Sequence, residues 1–227
     1  MIVSIHQANY LPYPGFFHKL SMSDVFVILD DIQSTSDTNR NKIIASGGPT
    51  WLTIPIMKEF ETQPIMLVKI NNELPWKRLH WKKITTAYNN ANFFHLYKDY
   101  FENLYKINWN YIFDLNFEII KKIIKWLDIK IEIIRESELH VTGKSTERLV
   151  NVCKIVGADT YLSGIGGKKY LNEKLFEQNK INLQYQNYIP TTYPQHMTDS
   201  FIPNLSVIDL LANMGSKSLQ IIQNQKF

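Results

Sequence analysis

Two short apolar runs stand near the start of the chain, at residues 2–5 and within "DVFVILDD" at 24–31. Both are short and closely packed with aliphatics, so both predict strands buried on two faces, the pattern of a parallel sheet. Parallel strands need a crossover between them, and the intervening residues supply one: a turn at 12–15 and a short amphipathic helix at 16–23. The chain therefore opens with a βαβ unit. It is expected to be an α/β protein with a Rossmann-like, mostly parallel sheet and flanking helices. In open sheets of this kind, ligands bind outside the carboxyl ends of the strands. The first strand runs into His6, Gln7, Asn9 and Tyr10, and the second into Asp30 and Asp31. That crowd of hydrogen-bonding side chains falls where a site belongs.

The remaining pattern continues the alternation of strands and helices. "WLTIPI" and "IMLVKI" (65–70) read as strands, the latter as an edge or antiparallel one. From 75 to 126, aromatic and aliphatic residues recur at three- and four-residue spacing, which predicts an aromatic-rich helical insertion. "IKIEIIRES" (129–137) reads as a strand, and "STERLVNVCKIVG" (145–157) as a helix with a Ser/Thr N-cap and a glycine stop. "DTYLSGIGGKKYL" (159–171) reads as strand, glycine-rich turn and helix, "INLQYQNY" (181–188) as a strand, and "SVIDLLANMG" (206–215) as a helix capped by Ser206. No repeat or low-complexity linker interrupts this order, so one domain spanning residues 1–227 is expected.

Composition narrows the classes. Tyr and Trp supply 17 of the 29 aromatic side chains, an amphipathic stock suited to a cleft for polar, ring-shaped ligands or to extra core volume. The net charge of +4 is spread over helix faces without an Arg-rich run, so no nucleic-acid partner is expected, while anionic small molecules are attracted. Cys153 is the single cysteine, which excludes an intramolecular disulfide and a cysteine-based zinc site and fits a reducing cytoplasm. Its mid-helix apolar setting reads as inert core. The start carries no signal-peptide pattern, and no run approaches a membrane span. The six histidines show no metal-binding spacing, so neither metal nor cofactor is expected.

Several constellations point to chemistry. His6, at a strand end, reads as a general base or as a structural histidine bonded to the backbone. Asp30 shares its sheet edge. In "SGIGG", Ser163, Gly164, Gly166 and Gly167 place bare amides ahead of a helix, where an anion is welcome, with Tyr170 alongside. The alternative is a tight turn in which glycine supplies positive φ. In "DTNRN", Arg40 offers a planar fork for phosphate or carboxylate, and Asn39 can orient either partner. Gln7, Asn9, Tyr10, His18, Gln33 and Gln195 complete the candidate binding set.

"HQANYLPYPGFFHKL", "DDIQ" followed by "NRNKI", "WLTIPI", "YLSGIGGKKYL" and "YPQ…FIPNLSVIDLLANMG" resemble, in order, the motifs of the WbqC-like family. The resemblance covers nearly the whole chain; Ala8 stands where that family typically has Pro. It implies bacterial O-antigen or other surface-polysaccharide biosynthesis. It also implies an acyl or aminoacyl (glycyl-type) transferase that forms an amide on a nucleotide-linked amino sugar. In that reading His6 accepts the amine proton, Asp30 orients it or binds the sugar, and the "SGIGG" amides with Arg40 and Asn39 hold anionic groups. Adenylate or nucleotidyl transfer on the same sheet edge, and a non-catalytic sugar-binding or scaffold protein, are the competing readings.

Overall fold

The computed structural model describes residues 1–35 and 38–223, so Asp37 of the "DTNRN" stretch lies outside the described residues. Strand β1 (Ile2–Gln7) leads through helix α1 (Pro14–Ser21) to β2 (Val25–Leu29). Pro14 opens α1, where its missing N–H costs nothing and its fixed φ suits a helix start. The hairpin β3 (Arg40–Ala45) and β4 (Gly48–Thr53) follows, then α2 (Trp76–Tyr88), α3 (Lys98–Lys106), α4 (Ile112–Trp126) and β5 (Glu132–Arg135). Helix α5 (Ser145–Ile155), β6 (Thr160–Ser163), α6 (Glu173–Gln178), β7 (Asn182–Tyr185), α7 (Val207–Met214) and α8 (Ser218–Gln223) complete the chain.

Five strands form one sheet in the order β5-β2-β1-β6-β7, every pair parallel. Numbered by their appearance within that sheet, the order is third, second, first, fourth, fifth, so the chain reverses its direction of travel at β1. The crevice outside the carboxyl ends of β1 and β6 is the topological switch point at which such folds bind ligands.

Side-chain alternation sorts the core into two layers. Val3, Ile5, Val25, Val27 and Tyr161 pack on one side with Val150, Val152 and Cys153 of α5 and Phe176 of α6. On the other side Phe26 and Ile28 meet Phe16, Phe17 and Leu20 of α1, within a larger core shared with α2, α3, α4, α7 and the hairpin. Each fully buried Phe or Leu contributes about 1.5–3 kcal/mol relative to exposure, so these layers dominate the stability.

Three expectations are corrected. Residues 65–70 are not a strand: Ile65–Leu67 is a single 3-10 turn, with Ile70 making an isolated bridge to Ile56. Helix α5 has no side-chain cap from Ser or Thr; its N-cap is Lys144, and Ser145 has φ +50. After β6 the chain enters a 3-10 turn, Ile165–Lys169, instead of an α-helix, and α6 begins only at Glu173.

Candidate functional site

A cavity of about 430 Å³ sits at the switch point. Asn9, Pro12 and Tyr13 arrive from the end of β1, Arg40, Asn41 and Trp51 from the hairpin, and Ile165 from the turn after β6. Gln186, Tyr188, Pro190 and Asn204 close it from the segment behind β7. No carboxylate, imidazole or thiol belongs to this lining among the described residues.

Local geometry explains why these segments meet. Leu11 is fully buried at φ +45, a conformation a bulky residue holds only under tertiary constraint. Its carbonyl accepts Asn41 Nδ2 at 2.5 Å, which ties the hairpin to the loop after β1. Lys42 O accepts Ser206 N–H and Pro12 O accepts Val207 N–H, so the start of α7 is stapled to both. Gly15 permits a close approach: a Cβ there would lie 2.3 Å from the Tyr13 ring and 2.6 Å from Tyr188. The two tyrosines meet edge-on across it, with centroids 6.0 Å apart. Burial raises the pKa of both hydroxyls, which therefore stay protonated donors.

Arg40 is the one charged side chain of this lining among the described residues, and Lys42, two residues further along β3, lies outside it. The Arg40 guanidinium and the Lys42 ammonium each lie 4.8 Å from the centroid of the Trp51 ring. Neither cation forms an ion pair among the described residues.

His6 is half-buried, edge-on to Phe16, and its Nδ1–H donates to Gln7 O at 3.0 Å. Of the two readings of His6, the backbone-bonded one describes this geometry. Burial, reinforced by nearby Lys19, pulls the imidazole down to about 3, so it is neutral with Nε2 left as an acceptor. Lys19 is itself buried, holds only a 3.5 Å contact to Ile5 O, and is pulled down to about 7 by desolvation.

Other expected site residues turn inward. Asp30 is fully buried; it accepts from Arg135 Nε at 2.8 Å, Ser137 N at 2.8 Å and Ser137 Oγ at 2.7 Å, and so anchors β5. It is not part of the cavity lining. Tyr10 is completely buried, bonded to His80 Nδ1 at 2.9 Å and to the Tyr105 hydroxyl. Gln7 donates to Gln33 O at 2.8 Å and accepts from Thr35, fixing that loop, while the exposed Gln33 takes part through its backbone. Asn39 Nδ2 donates to Ile54 O within the hairpin. Gln195 clamps Ile202 through both amide atoms and also donates to Asp209 at 2.8 Å. Tyr170 is exposed and outside the lining.

The glycine loop also differs from expectation. Gly164 has φ −66, and none of Gly164, Gly166 and Gly167 has positive φ, so the tight-turn explanation does not apply. The Gly167 amide donates to Gly164 O at 2.9 Å and is unavailable to an anion. Ser163 Oγ donates to Gly164 O at 3.1 Å, and a Cβ on Gly167 would lie 2.2 Å from it. Only Ile165 of this loop reaches the cavity.

The model of the WbqC-like protein family matches residues 7–221. The chain belongs to that family. It is also 27% identical over 219 residues, 95% of each chain, to the uncharacterized protein Rv1507c of Mycobacterium tuberculosis (strain ATCC 25618 / H37Rv). No solved structure matches the chain. Segments that carry the WbqC-like pattern converge on the cavity: "NYLPYPG" brings Asn9, Pro12 and Tyr13, "NRNKI" brings Arg40 and Asn41, "SGIGG" brings Ile165, and "IPNLS" brings Asn204. Among the described residues no helix is long and apolar enough to cross a membrane, and no cluster of His, Cys, Asp and Glu is arranged to hold a metal ion. Sequence reading missed Gln186, Tyr188 and Trp51. The signals were an exposed Trp behind a Gly-Gly-Pro turn and a Gln and Tyr just past a strand's carboxyl end.

Proposed function

We propose that this WbqC-like protein is a cytoplasmic transferase of bacterial surface-polysaccharide (O-antigen) assembly, forming an amide on a nucleotide-linked amino sugar held in the switch-point cavity. The observation that carries the reading is the pair of cations on Trp51, Arg40 and Lys42, neither ion-paired among the described residues. Two like charges on one ring repel, and a diphosphate relieves both through charge-assisted hydrogen bonds. Tyr13, Trp51 and Tyr188 add flat rings for a sugar or base. An acyl or aminoacyl donor completes the reaction: the amine nitrogen bonds to the donor's carbonyl carbon, the bond from that carbon to the leaving group breaks, and the leaving group departs with the proton that nitrogen gives up. His6 lies outside the described lining and, pulled down to about 3, is too weak a base to take that proton, so it is assigned no contact with the amine.

A non-catalytic sugar-binding protein is favoured by one observation, the absence of any carboxylate, imidazole or thiol from the described lining. Calorimetric titration with UDP-glucosamine is expected to show saturable binding that weakens tenfold or more in Arg40→Ala and weakens with added salt. No binding would sink both readings. Loss of an N-acyl amino sugar from the polysaccharide of a deletion strain selects the transferase, and an unchanged glycan selects against it.

A further inference from the structure

We infer that Gln186 recognises the amine of the acceptor, through a side-chain oxygen whose direction is fixed by the Gly15 carbonyl and supported by His18. Gln186 lines the cavity yet is only 5% exposed, and its backbone N–H donates to Ser163 O at 2.7 Å. Both hydrogens of its side-chain amide are engaged on the protein side. Nε2 donates to Gly15 O at 2.7 Å and to His18 Nδ1 at 2.8 Å. A glutamine amide exchanges its oxygen and nitrogen by a simple half-turn, and only its partners decide which end points where. Here the half-turn would set Oε1 against the Gly15 carbonyl, two acceptors with no proton between them. The orientation is therefore settled by chemistry.

What remains is Oε1, the one polar atom of this cavity-lining side chain without a hydrogen-bond partner among the described residues. It is an acceptor only. An amine or ammonium satisfies it, and an ammonium does so with the added strength of a charged donor. His18 acts through Gln186 and is a positioning residue. It is 3% exposed and packed against the Tyr188 ring at 5.4 Å, burial lowers its pKa and keeps the ring neutral, and the Gln186 amide N–H facing Nδ1 selects the tautomer with its lone pair there. The lock joins α1, which supplies Gly15 and His18, to the exit of β7, two segments far apart in the chain.

This inference rests on the nucleotide-linked amino sugar reading, and the test separates the two. Dissociation constants of UDP-glucosamine and UDP-glucose, which differ only in an amine against a hydroxyl, are measured for the native protein, Gln186→Met and His18→Phe. The native protein is expected to prefer UDP-glucosamine by roughly tenfold. Gln186→Met is expected to bring the ratio close to one and His18→Phe to lower it part of the way, while both still bind UDP-glucose. The ratio does not depend on the fraction of folded protein, and its native value needs no variant, so a variant that fails to fold leaves the test intact. A native ratio near one, or an undiminished ratio in Gln186→Met, overturns the inference while binding of both sugars upholds the wider reading. Failure of the native protein to bind either sugar overturns the wider reading and this one with it.

Discussion

Neighbouring glycines of one loop answer to different physics. At Gly166 a Cβ would meet nothing within 4 Å, and its φ is not positive. At Gly167 it would lie 2.2 Å from Ser163 Oγ and 2.8 Å from Leu171. Gly166→Ala is thus expected to leave the urea midpoint unchanged or to stabilise by about 0.4–1 kcal/mol through a less flexible unfolded chain. Gly167→Ala is expected to destabilise by about 1–3 kcal/mol through overpacking. Equal effects in the two urea curves would refute this account of the loop. The same resolution applies to polar residues. Tyr10, Gln195 and Asp30 belong to types that bind ligands, but their hydrogen-bonding atoms are engaged inside the protein, and Asn39 spends its Nδ2 on Ile54 O. Cys153 is buried and its thiol is pushed up to about 12, in keeping with inert core.

At the scale of elements, α4 reaches into the frame of the site. Asn116 is fully buried, and its Nδ2 donates to Ala8 O and to Thr38 O, each at 2.7 Å. Those carbonyls immediately precede Asn9 and the Asn39–Arg40 pair, so a helix between β4 and β5 sets the spacing between two walls of the cavity. Asn116→Ala would leave both carbonyls unpaired and open a small void. The expected cost is roughly 2–5 kcal/mol. UDP-glucosamine affinity per folded molecule should fall as well. A variant that melts early but binds normally would show that the two walls hold their spacing without α4. The 3-10 turn at Ile65–Leu67 illustrates an opposite case, an alternating apolar run whose β-like pattern is overridden by its packing against α4.

For the whole molecule, burial keeps histidines neutral. His6 is pulled down to about 3 and His80 to about 4, both chiefly by desolvation, against an unfolded value near 6.5. Below 6.5 the unfolded chain binds protons that the native state refuses, so stability falls as pH drops from 6.5 towards 4. Lys19, pulled down to about 7, acts in the same sense at higher pH: stability is lost as pH falls from about 10.4, its unfolded value, towards 7. Asp209, raised by burial, acts in the opposite sense, since the native state holds its proton more readily than the unfolded chain. Urea unfolding at pH 7 and pH 5 is expected to give the lower free energy at pH 5. A flat or rising profile would mean that these imidazoles are not held neutral.

The sequence alone determined the local elements with strong patterns. Two aliphatic runs flanking a short amphipathic helix specify parallel neighbours, and the register confirms them, with His6 beside Ile28, although the helix starts at Pro14 and not at Phe16. Ser206 caps α7 as its position ahead of an amphipathic run implies. Asn9 was legible as a binding residue because polar groups just past a strand end fall at the ligand-binding edge of such a sheet, and Arg40 because a guanidinium in a polar loop offers a fork for an anion; both line the cavity. Only the tertiary structure decided which polar side chains face that edge. A side chain's type states what bonds it can make, while its partners depend on residues distant in the chain, as Gln186 with Gly15 and Asn116 with Ala8 show. Burial strength, and with it the charge of His6 and Lys19, is likewise a property of the packed surroundings, because desolvation is set by neighbours that no local pattern specifies.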